Sequence, residues 1–264
     1  MTMIHPGLCS ITFRELSQRQ IVELVAETGL AGIEWGGDIH CPHGDTASAA
    51  QAGAITRDAG LAVSSYGSYY RAARPAGGKD APPFEAVLAS TVAMEAPLIR
   101  IWAGGYGSDA AEATEAYRAE VADDARRIAD LAAPVGVRIA FEYHAGSLTD
   151  TLESTLRLLA AIDHDNVGCY WQPPFGAAKS DNLTAIEALA DKLANVHVFH
   201  WLTAPGDKID HRPLADGQGD WTDYFAEIAA IPGDRWALLE FVRDGSEENY
   251  RRDAATLRQL LEGW

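Results

Sequence analysis

Eight short apolar runs, each followed by a segment of helical periodicity, recur along the 264-residue chain. They cover residues 7–12, 32–35, 62–66, 98–102, 137–143, 167–171, 196–201 and 236–242. Valine, isoleucine and aromatic residues dominate them, as in strands buried on both faces of a parallel sheet. Between the runs the period becomes helical. The stretch SQRQIVELVAETG opens with Ser17 and Gln20 at capping-box spacing, puts Ile21, Leu24 and Val25 on one face, and stops at Gly29. Leu183, Ile186, Leu189 and Leu193 form a second such stripe, and Leu152, Leu156 and Leu159 a third. A long Ala-rich helix is expected over about 110–133, and a last helix over 245–263.

Eight strand–helix units in a chain of this length predict an α/β fold of the (β/α)8 TIM-barrel type, in a single domain over 1–264. An open doubly wound sheet shares the alternation, but no Gly-rich dinucleotide fingerprint follows the first strand. Two long polar loops, 74–83 (RPAGGKDAPP) and 203–220, leave strand ends, where a barrel of this kind keeps its chemistry.

Composition bounds the partners. A formal net charge of −17 repels polyphosphates, so nucleic acid is not an expected partner, whereas a neutral sugar or a metal cation is compatible with it. Cys9, Cys41 and Cys169 are scattered, with no CxxC pair, as a reducing compartment permits. No basic segment followed by an apolar one opens the chain, and no run approaches the roughly 18 apolar residues of a membrane helix. A cytoplasmic protein with no membrane partner is expected, with room left for a homo-oligomer or a partner subunit.

Polar side chains gather at the C-terminal ends of the strands. Strand two ends with Glu34, Asp38, His40 and His43; strand five with Glu142 and His144; strand six with Gln172; strand seven with His197 and His200; strand eight with Glu240. Carboxylates inside apolar runs are costly to bury unless paired or bound to metal. Taken singly, a strand glutamate can pair with Arg100, and His197 can be a hydrogen-bonded core histidine. Together, Glu142, Gln172, His197 and Glu240 would converge at the barrel mouth as donors for one divalent ion, with Mn2+ favoured and Mg2+, Co2+ or Zn2+ open. His144, two residues past Glu142 on the same strand face, is a spare general base. His40, His200 and Trp102 are candidate substrate contacts, among many aromatics that suit a sugar ring.

The segments GIEWGGDIH, FEYH, VHVFHW, HRPLADGQGDW and LLEF carry a resemblance. The chain resembles the sugar phosphate isomerase/epimerase superfamily, the xylose-isomerase-like barrels that include ketose 3-epimerases and hydroxypyruvate isomerase. The resemblance implies a barrel with one divalent metal held by Glu, Asp, His and Glu from strands five to eight. By position these are Glu142, Gln172, His197 and Glu240; Arg212 matches an arginine used near substrate oxygens, and His200 stands where the family has an acid. Strand six departs from the pattern: Gln172, Pro173, Pro174 and Phe175 replace an Asp, two residues and a His.

The resemblance implies a sugar isomerase or epimerase acting on a small-molecule carbohydrate, a ketose or keto-sugar; with no P-loop and no cluster of basic residues near the strand ends, a substrate without phosphate is expected. Glu142 and Glu240 would serve as base and acid on opposite faces of the carbon, through a metal-stabilised enediolate. A lyase acting by elimination from a keto-sugar or keto-glycoside is the main alternative. An endonuclease-IV-like enzyme and a non-catalytic sugar-binding barrel are the others.

Overall fold

The computed structural model describes residues 2–74, 82–205 and 208–263. Its barrel strands are β1 (Ile4–Cys9), β2 (Gly32–Gly36), β3 (Ala62–Arg71), β4 (Leu98–Trp102), β5 (Arg138–Glu142), β6 (Val167–Trp171) and β7 (Leu193–Val198). Two strands outside the barrel follow, β8 (His200–Ala204) and β9 (Lys208–Arg212), before β10 (Arg235–Leu239) completes it. All barrel pairings are parallel, and β1 closes the ring by pairing with both β2 and β10, Leu8 standing opposite Ile33 and Leu239. The closed ring is the (β/α)8 barrel expected, and it excludes the open doubly wound sheet.

The helices are α1 (Gln18–Thr28), α2 (Thr46–Asp58), α3 (Phe84–Met94), α4 (Glu115–Ala132), α5 (Leu152–Ile162), α6 (Lys179–Ala188), α7 (Gln218–Ala230) and α8 (Glu247–Leu261). Local chemistry sets their ends. Ser17 and Gln20 form the capping box of α1, and Gly29 ends it at φ 69°, a left-handed conformation that costs glycine little. Thr114, Thr151 and Ser246 cap α4, α5 and α8 through their side-chain oxygens. Ile21, Leu24 and Val25 are buried as their spacing requires.

Four expectations are corrected. β1 ends at Cys9, and Ser10–Phe13 form a 3-10 turn. The Ala-rich helix starts at Glu115, because Thr114 captures its first turn. Leu156 faces solvent at 37% exposure while Leu158 takes the buried face. Leu193 belongs to β7 rather than to the preceding helix. Of the loop 74–83, residues 75–81 lie outside the described residues; Pro83 stands at the N-terminus of α3. Of the loop 203–220, residues 206–207 lie outside the described residues, and the rest is more ordered than its polarity suggested. β8 pairs antiparallel with β9, from His200 opposite Arg212 to Ala204 opposite Lys208, and the ribbon stands beside the barrel mouth.

Apolar packing falls into two clusters. The larger joins the outer strand faces to the helices. The smaller contains Leu98, Ala140, Tyr170, Ala194 and Leu238, with Trp236 against it. Strand alternation places Trp236, Leu238 and Glu240 on one face, and likewise Ala140 and Glu142. The second cluster therefore floors the site.

Candidate active site

The ends of β2, β4, β5, β6, β7 and β10 bring one group of polar side chains together. Glu34, Arg100, Glu142, Gln172, His197 and Glu240 are all buried. At the centre, His197 Nδ1 lies 2.8 Å from Gln172 Oε1, 3.3 Å from Glu240 Oε2 and 3.6 Å from Glu142 Oε1. A ring nitrogen can offer one hydrogen at most, so three buried oxygens face it with lone pairs in excess. Spacings of this order from one nitrogen are compatible with bonds of about 2.0–2.2 Å to a shared divalent ion, and Cys9, His197 and Glu240 present ligand atoms all within 4.8 Å of one another. The four residues therefore fit a metal of the oxygen- and nitrogen-preferring kind.

Arg100 crosses the barrel beneath these donors. Its Nε donates to Glu34 Oε1 at 2.8 Å, and its Nη1 donates to Glu142 Oε2. The indole N–H of Trp102 donates to that same oxygen, so Glu142 has one oxygen pinned and the other directed at His197. Ser65 donates to Glu34 Oε2 at 2.8 Å, and the Cys9 thiol lies 3.8 Å from Glu34 Oε1. Room for this network comes from Gly67 on β3: a Cβ there would lie 2.8 Å from both Arg100 Nη2 and Glu34 Oε1. Glu142 is a partner of Arg100 through one oxygen, and its other oxygen faces His197.

Electrostatics follow from this arrangement. Burial pushes Glu34 up, but the Arg100 guanidinium and His197 outweigh it and hold its carboxyl at about 2. Burial likewise opposes ionisation of Glu142, and Arg100 with His197 still keeps it well below the usual carboxylate range. Burial disfavours a charged His197 ring; Cys9 and the carboxylates of Glu240 and Glu142 prevail and raise its pKa well above the histidine norm.

Above the donors opens a cleft of about 590 Å3, with Glu142, His144, Gln172 and Glu240 in its floor and walls. Trp102, Tyr69, Phe175, Trp201 and Phe241 supply aromatic faces, and Ile209 of the ribbon reaches the same space. Arg14 lines it too, paired to Asp38 and donating to the Tyr69 hydroxyl. His144 packs its ring 5.1 Å from Trp102, and its Nδ1 lies 2.6 Å from the Ala145 carbonyl oxygen. That oxygen can only accept, so Nδ1 carries the hydrogen and the neutral ring keeps its Nε2 lone pair.

Three expected substrate contacts fall elsewhere. His40 is buried, with Nδ1 3.0 Å from the Ser10 hydroxyl and Nε2 3.1 Å from the Leu16 carbonyl oxygen. Both nitrogens are engaged, and it pins the turn after β1 rather than meeting the cleft. His200 lies outside the barrel strand expected to carry it. Its ring packs so closely on Gly217 that a Cβ there would lie 2.5 Å from Nδ1, and it borders a separate hollow of about 200 Å3. Arg212, on β9, faces Asp210 and Asp216 at 3.4 Å each, apart from the cleft. Glu34 and Arg100 are the participants whose part in the site the sequence reading did not assign. Glu34 stands between Ile33 and Trp35 as Glu142 follows Phe141, the same signal of a carboxylate in an apolar run.

Known proteins share this shape. A 3-dehydroshikimate dehydratase of Bacillus anthracis is 30% identical over 168 residues, which make up 61% of this chain and 59% of that protein. The crystal structure of a probable 3-DHS dehydratase of Bacillus anthracis, involved in petrobactin synthesis, superimposes with a TM-score of 0.77 at 22% identity over 97% of this chain and 99% of the other. The D-psicose 3-epimerase of Clostridium cellulolyticum H10 gives a TM-score of 0.69 at 15% identity over 98% and 99%. The family model described as xylose isomerase-like TIM barrel matches residues 22–260. The chain belongs to the xylose isomerase-like TIM barrel family.

Proposed function

We propose that the protein is a divalent-metal-dependent lyase of the dehydratase type. It would remove the proton alpha to the carbonyl of a small polyhydroxylated ketone, a keto-sugar or a hydroxylated cyclic ketone, and expel the beta hydroxyl as water. One observation carries the reading: His144 lines the cleft beside Glu142, Gln172 and Glu240, and with Nδ1 spent on the Ala145 carbonyl its Nε2 is left as a proton acceptor. Those four residues would hold the ion, which when bound supplies Lewis-acid polarisation of the substrate carbonyl.

Residue by residue, the chemistry runs as follows. His144 Nε2 takes the alpha proton, and the C–H electron pair becomes the new carbon–carbon double bond as the beta C–O bond breaks. The protonated ring, on the same face, returns its proton to the departing hydroxyl. Glu142 is poorly suited to be the base, because a carboxylate held far down by Arg100 is a weak proton acceptor. Its part is to orient and donate, through the oxygen that faces His197. Trp102, Phe175, Trp201 and Phe241 offer flat apolar walls to a ring. The 30% identical dehydratase supports elimination as the outcome.

Epimerisation of a ketose is the second reading, favoured by Glu142 and Glu240 lining one cleft from separate strands. The two are told apart by incubating the Mn2+-loaded protein with 3-dehydroshikimate, 3-keto-glycosides and free ketoses in D2O, followed by mass spectrometry and NMR. A product lighter by water supports the lyase. A deuterated epimer of unchanged skeleton supports the isomerase and overturns elimination. No exchange of any alpha proton overturns both.

A further inference from the structure

We propose that Glu34 is a positioning residue for the metal site, acting through Arg100 and His197 to match the buried charge to a divalent ion. The inference rests on the metal-dependent reading of the same cluster.

Three contacts carry it. Glu34 Oε1 accepts from Arg100 Nε at 2.8 Å, and the other side of that guanidinium is spent on Glu142. Glu34 Oε1 also lies 3.5 Å from His197 Nε2, the buried ring nitrogen that has no hydrogen-bond partner, while Nδ1 faces Gln172, Glu142 and Glu240. A ring that gives its Nδ1 lone pair to a cation must carry its hydrogen on Nε2, and Glu34 is the acceptor placed there. Carboxylates behind metal-bound histidines fix the tautomer and raise the basicity of the ligand.

Charge makes the same point. After strand six the donor is the neutral Gln172. Glu142 and Glu240 alone would match a divalent ion, but Arg100 is buried against Glu142 and subtracts one of those charges. Glu34 restores it: three buried carboxylates and one guanidinium leave two net negative charges. A buried guanidinium so close to a cation is unfavourable unless cancelled. Gly67, whose Cβ would collide with both Arg100 and Glu34, is the backbone provision for this pair.

The test is a charge swap read by Mn2+ binding, using EPR of free Mn2+ and calorimetry rather than turnover. Glu34→Gln keeps an acceptor for Arg100 and His197 and removes only the charge. It should weaken Mn2+ binding by about 10- to 100-fold. Adding the isosteric Gln172→Glu to that variant should return most of the lost affinity, although the Glu34–Arg100 ion pair stays broken. An affinity unchanged in Glu34→Gln, or a loss that Gln172→Glu does not relieve, overturns the proposal and leaves Glu34 a structural partner of Arg100. If Glu34→Gln does not fold, Glu34→Asp, which keeps the charge but draws the carboxylate back from Arg100 and His197, must weaken Mn2+ binding, and an unchanged affinity overturns the proposal. Wild-type protein that binds no Mn2+ overturns the metal reading itself, an outcome distinct from failure of the swap.

Discussion

His144 is held by one backbone carbonyl and one aromatic face, and neither contact supports the barrel. His144→Ala should therefore leave the fold and the metal site intact while lowering kcat about 10²- to 10⁴-fold, as loss of a general base does. Thermal melting and single-turnover kinetics on an identified substrate check both halves. His43 makes a different prediction. Burial lowers its pKa from 6.5 to about 4, and its Nδ1 lies 2.8 Å from the Tyr66 hydroxyl, which donates to the Cys41 carbonyl. The unfolded ring gains a proton at a pH where the native ring does not. The stability this group contributes is complete above about 6.5 and is lost as pH falls toward about 4. His43→Gln should flatten that part of the stability–pH profile, measured by denaturant melts between those limits. At this scale the sequence exposed Glu142, Glu240 and His197, since charged or ionisable side chains inside apolar runs need a reason. It could not show that both nitrogens of His40 are taken, because Ser10 and Leu16 approach it only through the turn after β1.

Among the elements, β3 places a steric demand on the site. Gly67 stands opposite Arg100 in the β3–β4 register, and a methyl group there meets the buried ion pair at 2.8 Å. Gly67→Ala should cost about 1–3 kcal/mol of stability by overpacking and weaken metal binding as well, since Arg100 must move. Chemical denaturation with and without Mn2+ measures both effects; a neutral substitution would show that the pair has slack. Helix ends were legible because caps are local chemistry: Ser17 with Gln20, and Gly29, are close in sequence. The ribbon of β8 and β9 was not. Its apolar residues, Leu202 and Ile209, are about half exposed, so it lacks the buried alternation by which a strand announces itself. His200 consequently reads as part of the mouth, and the resemblance places Arg212 there, although each is turned to its own neighbours.

For the whole molecule, alternation of apolar runs and amphipathic helices stated the number of units but not their closure. A barrel and an open sheet share that pattern; pairing of β1 with β10 distinguishes them, and it is a contact between opposite ends of the chain. Among the described residues no helix is long and apolar enough to cross a membrane. The net charge of −17 bears on how a cation approaches. Diffuse negative potential favours uptake of a divalent ion into a cleft lined by Glu142 and Glu240 and disfavours a polyanion. The central claim is that Glu142, Gln172, His197 and Glu240 together hold such an ion. Its most direct measurement is the metal content of protein purified without chelator, paired with Mn2+ titration of wild type and His197→Ala. Near-stoichiometric divalent metal in the wild type, a melting temperature raised by Mn2+, and loss of both in the variant are expected. Wild-type protein free of metal and unaffected by added Mn2+ would contradict the claim.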